Sequence, residues 1–101
     1  MLVLSFSCYA IAKLPDFLGE LIQLRYLDVS HTLIKKLPSS TCSLINLQTL
    51  LLSSCLCHRV LPENFGGLVN LRHLDISGTA LPEPVLNRDA VVIGNSNMLG
   101  S

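Results

Sequence analysis

The sequence predicts an α/β solenoid made of stacked copies of one short unit, and three observations carry that prediction. First, one phrase occurs four times: Leu4-Ser5-Phe6-Ser7, Leu27-Asp28-Val29-Ser30, Leu50-Leu51-Leu52-Ser53 and Leu74-Asp75-Ile76-Ser77, with the leading leucines 23, 23 and 24 residues apart. A constant step of this size marks stacked repeats rather than a chain folded around one globular core. Second, apolar and polar residues alternate within each copy, which is the pattern of a short strand with one buried face. Third, a Leu-Pro pair follows each of the first three strands, as Leu14-Pro15, Leu37-Pro38 and Leu61-Pro62, and apolar residues then recur at spacing three. That spacing suits a 3₁₀ or irregular return segment. The expected architecture has short parallel strands on a concave face and irregular or 3₁₀ segments on the convex face.

The second copy shows how each part follows from its residues. Leu27 and Val29 alternate with Tyr26, Asp28 and Ser30, so the first pair turns inward and the other three outward. Thr32 stands where the chain must turn tightly, and a short hydroxyl there can bond backbone groups that the turn leaves without partners. Ile34 and Leu37 point back into the arc. Pro38 fixes its own φ and cannot donate to a further strand ladder. Thr41, Leu44 and Leu47 then form the outer apolar series, matched by Leu18, Leu21 and Leu24 before it and by Phe65, Leu68 and Leu71 after it. Asn46 and Asn70 hold equivalent places before the closing leucine. No single unit buries its own leucines, so Leu27, Leu50 and Leu74 are expected to pack on one another and to be among the costliest residues to truncate.

The fourth copy stays in pattern through Leu81, and then Pro82-Glu83-Pro84 replaces the expected Leu-Pro. Residues 1–86 therefore hold about three and a half repeats of 23–24 residues. Residues 87–101 are expected to be a divergent, disordered tail, apart from an apolar run Ala90-Val91-Val92-Ile93. Met1 occupies the place of a repeat-closing leucine with no capping segment before it, and a solenoid needs capped ends. The expectation is a fragment or truncated relative of something longer.

Composition narrows the function. The formal net charge is zero, and lysines and arginines equal aspartates and glutamates, which gives no electrostatic reason to expect nucleic acid or an anionic membrane as partner. Trp is absent and aromatics are few, so stacking platforms for single strands are lacking. Half the chain is apolar, yet the longest nearly apolar run, residues 50–57, falls well short of the ~20 residues of a membrane span. The apolar start, with Ala10-Ile11-Ala12 after it, resembles a secretory leader. No basic residue precedes it, however, and Leu4, Phe6, Ile11 and Leu14 keep the register of the later repeats. Cys55-Leu56-Cys57-His58 has spacing too tight for a zinc site and no second pair elsewhere, so the four cysteines (Cys8, Cys42, Cys55 and Cys57) are read as reduced thiols. The chain is expected to be cytoplasmic, with no metal or other cofactor and no small-molecule substrate.

The phrases Arg25-Tyr26-Leu27-Asp28-Val29-Ser30, Asn46-Leu47-Gln48-Thr49-Leu50-Leu51-Leu52-Ser53 and Asn70-Leu71-Arg72-His73-Leu74-Asp75-Ile76-Ser77-Gly78-Thr79, with Leu4-Ser5-Phe6-Ser7-Cys8-Tyr9 before them, resemble the leucine-rich repeats of plant disease-resistance proteins. They most resemble the coiled-coil, nucleotide-binding, leucine-rich-repeat class of intracellular immune receptors. The resemblance covers roughly residues 1–81. It implies a role in protein–protein recognition, with a pathogen effector, a guarded host protein or the receptor's own nucleotide-binding module as partner. The phosphate-binding Gly-x-x-x-x-Gly-Lys-Ser/Thr loop of that module is absent from these residues. Two other readings use the same repeats: an intracellular scaffold of the Ras-group type, which also carries Leu-Pro, and a secreted repeat-type inhibitor.

The concave face is expected to display Val3, Ser5 and Ser7, then Tyr26, Asp28 and Ser30, then Thr49, Leu51 and Ser53, then His73, Asp75 and Ser77. The nine from Tyr26 onward are the candidate protein-binding residues. Tyr26 and Leu51 stand out as an aromatic and an apolar group facing outward on adjacent strands. Asp28, Asp75, the serines and His73 could be drawn as a hydrolytic set. Their recurrence at one architectural position is the simpler account, and no single nucleophile is paired with one oriented base. The chain is not expected to be an enzyme.

Overall fold

The computed structural model describes residues 2–8, 10–35, 37–54, 65–79 and 90–93. Its strands are β1 (Leu2–Ser5), β2 (Leu24–Asp28), β3 (Thr49–Leu51), β4 (His73–Asp75) and β5 (Val91–Ile93). They form one parallel sheet in the order β1-β2-β3-β4-β5. Between them lie 3₁₀ segments at Asp16–Glu20, Ser39–Ser43 and Phe65–Gly67. Among the described residues there is no α-helix, and no helix long and apolar enough to cross a membrane.

The repeat register is the sheet register. Leu4 pairs with Leu27, Leu27 with Leu50, Leu50 with Leu74 and Leu74 with Val92. Leu27 and Leu50 are 0% exposed and Leu74 is 1% exposed. The inward residues two places on, Val29, Leu52 and Ile76, are equally buried. The ladder outlasts the strands, since the N–H groups of Phe6, Val29 and Leu52 donate to the carbonyls of Asp28, Leu51 and Asp75 at 2.8, 2.9 and 2.7 Å.

Each return segment begins at a proline. Pro15 and Pro38 sit at ψ 145° and 148°, extended, and their carbonyls accept the N–H of Leu18 and Thr41 to open the 3₁₀ turn. A residue without an N–H loses nothing at that place. The leucine before each, Leu14 or Leu37, is buried. The corresponding Leu61-Pro62 pair lies outside the described residues. Each segment ends at a leucine in an inverse γ-turn: Leu21 has φ −85° and ψ 63°, Leu44 has φ −81° and ψ 70°. The next residue donates its N–H two places back, Ile22 to Glu20 and Ile45 to Ser43, both at 2.9 Å. That bend turns Ile22 and Ile45 outward, while Leu24 and Leu47 drop back into the core.

Side chains lock the coils together. Asn46 Nδ2 donates to the Ile22 carbonyl and Asn70 Nδ2 to the Ile45 carbonyl, each at 2.7 Å. Thr32 Oγ1 donates to the Val29 carbonyl at 2.8 Å, and Thr79 Oγ1 to that of Ile76 at 2.6 Å. The hydroxyl therefore serves chiefly a carbonyl of the turn; its contact with the Ile34 N–H is long, at 3.5 Å.

The tail departs from expectation. Residues 91–93, inside the span expected to be disordered, add β5 to the sheet in register with β4. β-Branched Val91, Val92 and Ile93 suit a pleated edge, and Val92 packs partly buried against the core at the place the repeat gives to a leucine. The absence of a Leu-Pro phrase hid this strand, because three residues are too short to show a repeat.

Candidate functional site: the concave face of the sheet

Strand alternation sorts the outward residues into rows that cross the sheet. Val3, Tyr26, Thr49, His73 and Val91 share one register row. Val3, His73 and Val91 are exposed, and Tyr26 and Thr49 are half-buried. Ser5, Asp28, Leu51 and Asp75 form the next row, reaching Ile93 at the level of the backbone. Asp28, Leu51 and Asp75 are each half-buried. Tyr26 and Leu51 thus stand diagonally: Thr49 is the neighbour of Tyr26, and Asp28 that of Leu51.

The serine row lies deeper than expected. Ser53 and Ser77 are half-buried, but Ser30 is only 7% exposed and lies beneath the face rather than on it. A tight turn follows each strand. Asp28 Oδ1 accepts the Ser30 N–H at 2.9 Å, and Asp75 Oδ1 accepts the Ser77 N–H at 2.9 Å and its hydroxyl at 2.6 Å. In the first coil Ser5 Oγ takes the Ser7 N–H at 3.3 Å. The residue that follows each serine is left-handed: Cys8 at φ 67°, His31 at 57°, Ser54 at 55° and Gly78 at 73°. The acceptor and the left-handed residue together shape the turn.

These bonds give the two aspartates a structural task. They orient the turn that follows each strand. His73 sits in a different row from Asp75, two residues back on the same strand. The Asp-x-Ser pattern at 28–30 and 75–77 was the sequence signal for this turn role. The Val91 position on the face had no signal beyond its β-branched run. Among the described residues no group of three or more His, Cys, Asp or Glu is placed to hold a metal ion. Cys55, Cys57 and His58 lie outside the described residues. Cys42 is buried on the convex side, and burial pushes its thiol up to about 11.

The face is therefore a shallow, mixed surface: an aromatic–polar row beside a row that alternates carboxylate, leucine and carboxylate. A mixed face of this kind suits protein contacts, which rest on area and complementarity.

Comparison with known proteins agrees with the geometry. The family described as leucine-rich repeat region matches residues 3–88. The chain is 58% identical over 53 residues to an Arabidopsis thaliana protein named as a disease resistance protein, At3g14460, covering 52% of this chain and 4% of that protein. It is 54% identical over 50 residues to an Arabidopsis thaliana protein named as disease resistance RPP13-like protein 1, covering 48% of this chain and 5% of that protein. The chain thus spans about a twentieth of the length of these relatives. With the repeat phrase, the parallel stack and the family match in agreement, the chain belongs to the leucine-rich repeat family, in the form carried by plant disease resistance proteins.

Proposed function

We propose that this chain is a protein-recognition segment of an intracellular plant immune receptor. Its concave face contacts a pathogen effector or a modified host protein, or holds the receptor's own nucleotide-binding module at rest. The observation that supports this most directly is the open sheet face. Its outward positions are set by a buried repeat core, so residues such as Tyr26, Thr49 and His73 can be exchanged with little effect on that core, as a recognition surface requires. The relatives named as disease resistance proteins supply the biological setting.

Area sets the expected strength. A stable interface needs about 20–30 residues a side. The three rows across the described strands supply fewer, so this chain contributes part of a larger contact and binds weakly alone. The test is co-precipitation of a nucleotide-binding module from a plant disease-resistance receptor by the full chain. A concave triple variant, Tyr26→Ser with Thr49→Glu and His73→Glu, is compared with a convex control, Ile45→Ser. Capture that falls by about tenfold only in the concave variant is the expected result. Equal loss in both, or in neither, would remove the concave face from the recognition role.

A further inference from the structure

Among the four repeated coils, the third departs from the pattern that the others keep in this row. In the second and fourth coils the residue after the strand leucine is an aspartate whose Oδ1 holds the following turn. In the first coil Ser5 does the same through its hydroxyl. The third coil has Leu51 there, a side chain with no acceptor to offer. Nor does the core require it. Leu50 and Leu52 on either side are 0% exposed, whereas Leu51 stands on the outward side and is half-buried. The third turn thus forgoes a bond that its neighbours make, in favour of an apolar group facing out. Departures from a local rule concentrate at functional sites, which makes Leu51 a candidate contact residue.

Its surroundings define the contact. The register sets Leu51 between Asp28 on β2 and Asp75 on β4. With strands ~4.8 Å apart, the two carboxylates lie on the order of 10 Å apart with the leucine midway. Both carboxylates are oriented in advance by their turns, which lowers the ordering cost of binding. The nearby basic residues, Arg25 in β2 and Arg72 just before β4, come three positions before the aspartates in the chain. The row itself is an apolar centre flanked by negative charge.

We propose that Asp28, Leu51 and Asp75 form a docking row for a protein segment that carries an apolar side chain flanked on both sides by Lys or Arg. This rests on the recognition reading above and names the chemistry of its partner. An extended segment crossing the strands fits the row. Its residues i and i+4 share one face about 13 Å apart, and the long stems of Lys or Arg close the remaining ~2 Å at each end. The central residue then lies over Leu51.

The probe is a capped Lys-Thr-Leu-Thr-Lys peptide, titrated into the full chain with the methyl and amide signals followed by NMR. Controls are Glu-Thr-Leu-Thr-Glu and Lys-Thr-Ser-Thr-Lys. The first peptide is expected to shift Leu51 and its strand neighbours, to bind at least about fivefold more tightly than either control, and to weaken with added salt. Leu51→Asn returns an acceptor to the third turn without adding a charge beside Asp28 and Asp75, and its affinity for the apolar-centred peptide should drop by about tenfold. Asp28→Asn with Asp75→Asn keeps both turn acceptors and removes the charge, with a comparable loss expected. No binding, equal binding of the acidic peptide, or an unchanged affinity in Leu51→Asn would overturn the proposal. If the module capture described above depends on the concave face while the peptide fails, only this assignment of partner chemistry falls. If both fail, the recognition reading falls with it.

Discussion

Thr41 occupies the place that neighbouring coils give to Leu18 and Phe65, and all three are buried. Its hydroxyl has no hydrogen-bond partner. A buried, unpaired hydroxyl costs free energy that an isosteric methyl does not. Thr41→Val should therefore stabilise the chain by about 1 kcal/mol, seen as a higher urea midpoint with an unchanged slope. Gly78 shows the opposite sensitivity. It is left-handed at φ 73°, and an added Cβ would meet Ser54 Oγ at 2.8 Å. The Ser54 side chain is exposed and can swing aside, so the backbone conformation dominates the cost. Gly78→Ala should lose about 1–2 kcal/mol by the same measurement. Cys42 gives a pH dependence. Burial raises its pKa from 9.0 to about 11, so the folded state keeps a proton that the unfolded state has already lost. The sign follows from linkage: this contribution is full below about pH 9 and is lost as pH rises through about 11. Urea midpoints between those limits should fall more steeply in the wild type than in Cys42→Ala. Parallel slopes would show that the thiol is not protected.

At the scale of elements, the four repeated strands and the returns opened by Leu14-Pro15 and Leu37-Pro38 were legible, because each phrase reports the same geometry. The inverse γ-turns at Leu21 and Leu44 were not, since leucine has no particular signature for them. β5 was missed because a three-residue edge strand has no periodicity of its own. The depth of Ser30 was missed because alternation gives the side of the sheet but not how far a side chain stands out from it. Stacking also grades the strands. Leu50 has a coil on both sides and is 0% exposed, whereas Leu4 in β1 is only partly buried. Leu50→Ala should cost about 2–5 kcal/mol, within the range for buried leucines, and Leu4→Ala clearly less. Equal losses in thermal or urea unfolding would contradict a stack built from neighbour contacts.

For the whole molecule, a stack in which each coil touches only its neighbours should open from its ends. Amide hydrogen exchange is expected to be slowest at Leu27, Leu50 and Leu52 and faster along Leu2–Ser5 and Val91–Ile93. Uniform protection across the sheet would instead indicate a single cooperative body. Repeat length, inward leucines and parallel stack were readable from residue order, because a 23-residue period carrying apolar groups at fixed places can bury them only against its own copies. Which outward residues stand in one row follows from the fold alone. Strand pairing sets Leu51 between Asp28 and Asp75 across 23 and 24 residues of chain, and the turns fix whether a polar side chain faces a partner or its own backbone. Those relations come from register and hydrogen bonding between coils, which no local pattern encodes.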